Sequence, residues 1–141
     1  MDFKPFEQKL VAILNESAET GRALNALAHM SVGLGANVTP KEKLRLQDYT
    51  DEDGGRHPSI SDIPFIVLKG RSGQIRTLRK ELIASGIPFT DFTDTMIEGT
   101  YVEQHARTKN TKEEGLNYIG ICLFGDWHQV TDLTKKFSLW K

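Results

Sequence analysis

The sequence contains almost no cysteine and no long hydrophobic run. Cys122 is the one cysteine among 141 residues, so no internal disulfide forms, and its position in an apolar run is typical of a core residue in a reducing compartment. The longest apolar runs, 10–14 and 119–124, have the length of strands and are too short to cross a bilayer. The first residues also lack the apolar stretch of a secretory signal. These absences predict a soluble cytoplasmic protein.

The sequence also has little net charge. Its formal charge is −1, so no global field draws it to nucleic acid. Positive charge is concentrated in residues 69–80, which contain five basic side chains and no acid: Lys69, Arg71, Arg76, Arg79 and Lys80. Such a cluster is usually a solvated helix face, and the alternative is a surface that faces phosphate groups.

Strand and helix patterns alternate along the chain with short links. Apolar runs predict strands at 8–14, 64–69, 88–92 and 117–124, and helical spacing predicts helices at 20–34, 72–85 and 126–135. We also expect an exposed strand at 44–49 and an edge strand or extended arm at 137–140. This order predicts one domain over residues 1–141, a three-layer α/β/α sandwich around a mixed, mostly parallel sheet.

Two segments have a distinctive composition. The 20–34 helix carries apolar or small residues around most of its circumference, which predicts a helix packed on nearly all sides. Residues 101–115 are polar and predict a mobile connection with at most a helical turn.

The chain resembles the archaeal and eukaryotic class (class II) of peptidyl-tRNA hydrolases along most of its length. The similar stretches occur in the same order at residues 9–14, 21–29, 86–100 and 118–139. A closer resemblance is to an uncharacterised bacterial family allied to those hydrolases. That family shares the Asn-Ala-x-Ala-His helix of residues 25–29, the Gly-Thr-Tyr loop of 99–101 and the ending Thr-Lys-Lys-Phe-Ser-Leu of 134–139.

The resemblance implies a catalytic set of Arg22, Asp91, Thr95 and Thr100. Cleavage of the ester that joins a peptide to a tRNA needs an oriented water and donors for the oxyanion. Asp91 would orient water or hold Arg22, the two threonines would donate hydroxyls, and Arg22 would stabilise an anion. We expect Arg22, Asp91 and Thr95 to converge on one cleft at the carboxyl end of the central strands. The family likeness also implies a homodimer.

Two further residues are candidates for substrate binding. Asn25 and His29 follow Arg22 on the same helix, and His29 lies two turns from it, so all three can reach one cleft. The alternative reading of His29 is a core histidine. Similarly, Asp91 and Arg22 could form a structural ion pair, and the two threonines could bond locally to backbone.

Departures from the family pattern all lie near the site. Arg22 replaces the family's lysine, Ala26 and Met96 replace glutamines, and residues 102–115 are an insertion. Arginine remains protonated, so it stabilises charge but is a poor general acid. Two functions therefore stay open: an ester hydrolase of aminoacyl or peptidyl conjugates such as charged tRNA, or a non-catalytic module that binds a small anionic ligand or a protein partner. A single cysteine and scattered histidines predict no metal site, and we expect no cofactor.

Overall fold

The computed structural model describes residues 6–141. The strands are β1 Gln8–Asn15, β2 Leu46–Thr50, β3 Arg56–Ser61, β4 Phe65–Gly70, β5 Phe89–Thr93, β6 Tyr118–Asp126 and β7 Ser138–Leu139. The helices are α1 Thr20–Asn37, α2 Ser72–Ser85, α3 Tyr101–Lys109 and α4 Trp127–Thr134. Every strand and helix predicted above is present, with ends shifted by a few residues. In this part of the chain no helix is long and apolar enough to span a membrane.

Strand β1 lies at the centre of a five-stranded sheet with the order β5-β6-β1-β4-β7. β1 and β4 run parallel, whereas the β1–β6, β5–β6 and β4–β7 pairs are antiparallel. The sheet is mixed, as expected, but the prediction that it is mostly parallel is wrong. The continuous apolar run of β1 reflects its central position with both faces covered, which does not require parallel neighbours.

Side chains of β1 alternate between two separate core clusters. Leu10, Ala12 and Leu14 pack in one cluster with the buried stripe of α1. Val11 and Ile13 pack in the other cluster, which contains the buried residues of α2 and α4. Because successive strand residues point to opposite faces, this division places α1 on one face of the sheet and α2 with α4 on the other.

Helix α1 is buried along one stripe only. Its buried residues are Ala23, Ala26, Met30 and Leu34. Leu24 and Val32 are 52% and 75% exposed, so the prediction of a helix packed on nearly all sides is wrong. The sheet covers a single face of α1, and within residues 6–141 no other layer lies above the helix to bury its remaining apolar side chains.

Two elements differ from the sequence-based expectation in extent. The exposed strand expected at 44–49 is β2, which forms an antiparallel hairpin with β3 outside the main sheet. The edge strand expected near the end of the sequence is β7, where Leu139 lies opposite Leu68 of β4.

Residues 101–115 contain a capped helix that is longer than the helical turn expected there. Thr100 is the N-cap of α3: its hydroxyl accepts a hydrogen bond from the backbone N–H of Glu103, and the Glu103 carboxylate accepts one from the Thr100 N–H. The Thr100 N–H lowers the pKa of Glu103 by stabilising its carboxylate. No residue of α3 is buried. The helix therefore depends on capping and on a few polar contacts to the body of the protein.

The basic cluster is partly neutralised within the protein. Arg76 donates a hydrogen bond to the Glu113 carboxylate at 3.0 Å and another to the Leu116 carbonyl, and its guanidinium lies over the Tyr118 ring. Arg79 pairs with the Asp91 carboxylate at 2.9 Å. Two of the five cations thus hold neighbouring elements together, which weakens the phosphate-facing interpretation.

Tyr118 gives this region a measurable pH dependence. Burial of the side chain and its hydroxyl's hydrogen bond to Glu113 raise its pKa to about 12 from the ordinary 10.0. When folding raises the pKa of a group, the stability that this group contributes is complete below its pKa in the unfolded chain. That stability is lost as the pH rises through its pKa in the folded protein. We expect the free energy of unfolding to fall by about 1–2 kcal/mol between pH 10 and 12 because of this residue. Chemical denaturation of the wild type and of Tyr118→Phe across this pH range measures the fall in unfolding free energy. Equal slopes of unfolding free energy against pH for the two proteins would contradict this expectation.

Candidate functional site

An open cleft of about 500 Å³ separates α1 from α3. Its floor is apolar and comes from Phe92 of β5 and from Met96 and Ile97 in the turn that follows. The two helices form its walls. The lining residues are Asn25, His29, Phe92, Met96, Ile97, Tyr101, Gln104, His105 and Thr108.

Helical spacing explains which side chains reach the cleft. Asn25 and His29 are four positions apart and therefore lie on one face of α1. On α3, Tyr101, Gln104 and Thr108 recur at the spacing of one helix face. The cleft is thus the space between two polar helix faces above an apolar floor.

The α1 wall is anchored by an aromatic contact. The His29 and Phe92 rings stack with their centroids 5.8 Å apart and their planes at 27°. Phe92 is buried, so it provides a fixed support for an exposed imidazole. The side chains of Asn25 and His29 form no hydrogen bond to any described residue. His29 is consequently not the satisfied core histidine of the alternative interpretation.

Polar contacts fix the α3 wall to the turn beneath it. Arg107 Nη1 donates hydrogen bonds to the carbonyls of Thr95 and Glu98 at 3.0 and 3.1 Å. The Oγ1 atom of Thr95 is 2.6 Å from that of Thr93 and 2.7 Å from that of Thr108. A row of three hydroxyl groups therefore joins the end of β5 to α3, and its outer member, Thr108, lines the cleft.

Three of the four predicted catalytic residues lie around this turn. Arg22 Nη2 is 3.3 Å from Glu98 Oε1, Thr95 is the central member of the hydroxyl row, and Thr100 caps α3. Each of the three already has a partner within the protein. None of them lines the cleft, although all adjoin it.

Asp91 does not join the other three residues, so the expected convergence of Arg22, Asp91 and Thr95 is not found. Thr90 and Phe92 face α1, as the hydrogen bond from the Thr90 hydroxyl to the Met30 carbonyl shows. Asp91 lies between them in β5, so its side chain points to the opposite face, where it pairs with Arg79 of α2. Burial alone would lower the pKa of Arg79, but the hydrogen bond and charge of Asp91 outweigh it and raise that pKa.

The structure places Asn25 and His29, both expected from the sequence as binding residues, in the cleft wall, whereas the sequence analysis above did not predict the α3 wall. One signal was available: Thr100-x-x-Glu103 matches the capping-box pattern and predicts a helix start. A helix that begins there places Tyr101, Gln104, His105 and Thr108 on adjoining positions of one side. No comparable pattern indicates that this side faces α1.

The fold and cleft define a small mixed α/β protein with a ligand-sized opening on the α1 face of its sheet. A family described as "Protein of unknown function (DUF2000)" matches residues 8–141, and the chain belongs to this family. The resemblance to an uncharacterised family is therefore confirmed.

A solved structure shares the fold. The chain is similar to the protein of unknown function Atu0240 from Agrobacterium tumefaciens strain C58, with 19% identity and a TM-score of 0.83 over 97% of this chain and 100% of that one. No curated protein matches the sequence.

Proposed function

We propose that this protein binds a small molecule in the cleft between α1 and α3 without catalysing a reaction on it. The observation that carries this proposal is the combination of unpaired polar side chains with an apolar floor. The side chains of Asn25 and His29 have no hydrogen-bond partner among the described residues, while Phe92, Met96 and Ile97 offer an apolar surface beneath them. A volume of about 500 Å³ lies within the range of small-molecule sites.

Removing the α1 wall is the direct test of this function. A screen of small molecules by thermal stabilisation of the full chain supplies a ligand, since a ligand that binds only the folded state raises the melting temperature. We expect His29→Ala to weaken binding of that ligand at least tenfold, which corresponds to about 1.4 kcal/mol. Isothermal titration calorimetry measures the effect.

A matched control is available on the opposite face of the sheet. His128 is an exposed histidine of α4, so His128→Ala removes the same chemical group away from the cleft. We expect this variant to bind as the wild type does. Equal weakening by both substitutions would contradict a site in the cleft.

A second candidate function is that of a class II peptidyl-tRNA hydrolase-like esterase. One observation favours it: Arg22, Thr95 and Thr100 surround the turn that forms the floor of the cleft. A tRNA conjugate would then be the substrate, and a homodimer of the same fold would be the working form. Against it, Asp91 is committed to Arg79 on the other face, and the Glu98 carboxylate already contacts Arg22.

Turnover on charged tRNA decides between the two functions. Under the hydrolase proposal, Arg22→Lys keeps or raises the rate, and Arg22→Ala lowers it by one to a few powers of ten, the range for losing a charge-stabilising group. Under the binding proposal, the wild type and both variants show no turnover above the uncatalysed rate. Release of the aminoacyl or peptidyl group from radiolabelled tRNA is the measurement.

A further inference from the structure

The cleft is lined by apolar, hydroxyl, amide and imidazole side chains. None of its nine lining residues within 6–141 is an aspartate, glutamate, lysine or arginine. Phe92, Met96 and Ile97 would displace water from one side of any bound molecule. Moving an ionised group against such a surface without a counterion costs far more free energy than moving a neutral one.

Two cationic side chains beside the cleft, Arg22 and Arg107, have partners within the protein. Arg22 contacts the Glu98 carboxylate at 3.3 Å, and Glu19 lies 4.0 Å from it. Arg107 donates hydrogen bonds through Nη1 to the carbonyls of Thr95 and Glu98. A ligand carboxylate or phosphate would find no lysine or arginine among the nine lining residues, and it would share Arg22 with the Glu98 carboxylate. A neutral ligand needs no counterion.

Each wall presents one planar amide and one imidazole. Asn25 and His29 project from α1, and Gln104 and His105 project from α3. The Gln104 amide nitrogen donates to the Gly99 carbonyl at 3.2 Å, which leaves its amide oxygen without a partner among the described residues. An amide offers both donors and an acceptor, and a neutral imidazole offers one of each. Facing groups of this kind match a ligand with donors and acceptors on two edges.

We propose that the ligand is an uncharged, flat heterocycle that carries hydrogen-bond donors and acceptors on two edges. This inference rests on the proposed binding function and names its ligand class. The stacked His29 and Phe92 rings supply an aromatic surface against which a flat ring packs favourably. The amides of Asn25 and Gln104 hydrogen-bond to its opposite edges.

Matched probes that differ by one carboxylate test the inference. Uracil and nicotinamide are the uncharged probes, and orotate and nicotinate are their anionic counterparts with the same rings. Each is titrated at neutral pH into the ¹⁵N-labelled full chain while amide resonances are followed. We expect the uncharged member of at least one pair to shift the resonances of α1 and α3 and to bind at least tenfold more tightly than its anionic counterpart.

Two variants test which side chains recognise the ligand, and a third variant serves as the control. Asn25→Leu and Gln104→Leu each keep a side chain of similar size but remove the amide, and each is expected to weaken binding of the uncharged probe at least fivefold. Gln129 is an exposed amide on α4, and Gln129→Leu is expected to change nothing. Amide spectra of the free variants show whether each one is folded.

The outcomes separate this inference from the binding function on which it rests. Equal or tighter binding of the anionic probes overturns the ligand class, as does an effect of Gln129→Leu as large as that of Gln104→Leu. Failure of both uncharged probes also overturns it, and if a screened molecule of another class then binds in a His29-dependent way, the binding function itself survives. If no molecule binds in the cleft, both proposals fail.

Discussion

Replacement of Leu78 by alanine is expected to lower the free energy of unfolding by about 2–5 kcal/mol. Leu78 belongs to α2, has no exposed surface and packs in the core cluster between that helix and the sheet. Truncation removes buried methyl groups and leaves a cavity that the surrounding strands cannot close. Urea denaturation of both proteins measures the difference.

Ile83 provides the control on the same helix. Its side chain is 55% exposed, so Ile83→Ala removes a similar number of carbon atoms with little loss of buried area. We expect a change within about 0.5 kcal/mol. Equal losses of unfolding free energy for Leu78→Ala and Ile83→Ala would show that α2 does not bury the face that carries Leu78.

Replacement of Gly120 by alanine is expected to destabilise the protein by about 1–3 kcal/mol. Gly120 lies in β6 beneath α1, and an added Cβ would be 2.7 Å from Met30 Cε, 3.1 Å from Leu14 Cδ2 and 3.2 Å from the Ile13 carbonyl oxygen. The methionine can move, but the backbone carbonyl and the buried leucine have little room. This strain outweighs the gain of about 0.5–1 kcal/mol that alanine normally brings over glycine within a strand.

The same substitution at Gly35 is expected to have the opposite effect on stability. It lies in α1 at an ordinary φ, and apart from its chain neighbours and the nearby helix backbone no atom of residues 6–141 would lie within 4 Å of an added Cβ. Gly35→Ala should therefore raise the free energy of unfolding by about 0.5–1 kcal/mol. Denaturation of both alanine variants in parallel measures the pair, and a stabilising Gly120→Ala would contradict the close packing of α1 on β6.

Local patterns predicted the elements of this fold well, because their signals lie within short segments. The end of α2 is an example: Gly86 adopts a positive φ of 68° as the helix cap, and Pro88 follows it. Strand direction was predicted less well. A run of apolar residues shows that β1 is buried on both faces, but it contains no information about whether β6 or β4 runs parallel to it.

Only part of the candidate site could be predicted from the sequence, again because short-range spacing is visible there and long-range pairing is not. Asn25 and His29 share a helix, so their common face follows from spacing alone. Asp91 and Arg22 belong to distant segments, and whether they meet depends on which face of β5 Asp91 occupies. A shift of one residue in a strand reverses that face, and nothing near Asp91 in the sequence specifies it. The partner of Asp91 is Arg79, which belongs to the basic cluster of residues 69–80.

The absence of buried residues in α3 has a consequence for the kinetics of the cleft. Local unfolding requires little free energy where few apolar contacts are lost, so α3 can detach from the turn at 94–96 while the sheet and the other helices remain intact. The cleft is open, so a molecule can enter it without this detachment, but detachment of α3 removes one of the two walls that would hold a bound molecule. A molecule that bridges α1 and α3 supplies contacts that α3 lacks, so its residence time and the hydrogen-exchange protection of the α3 amides rise together.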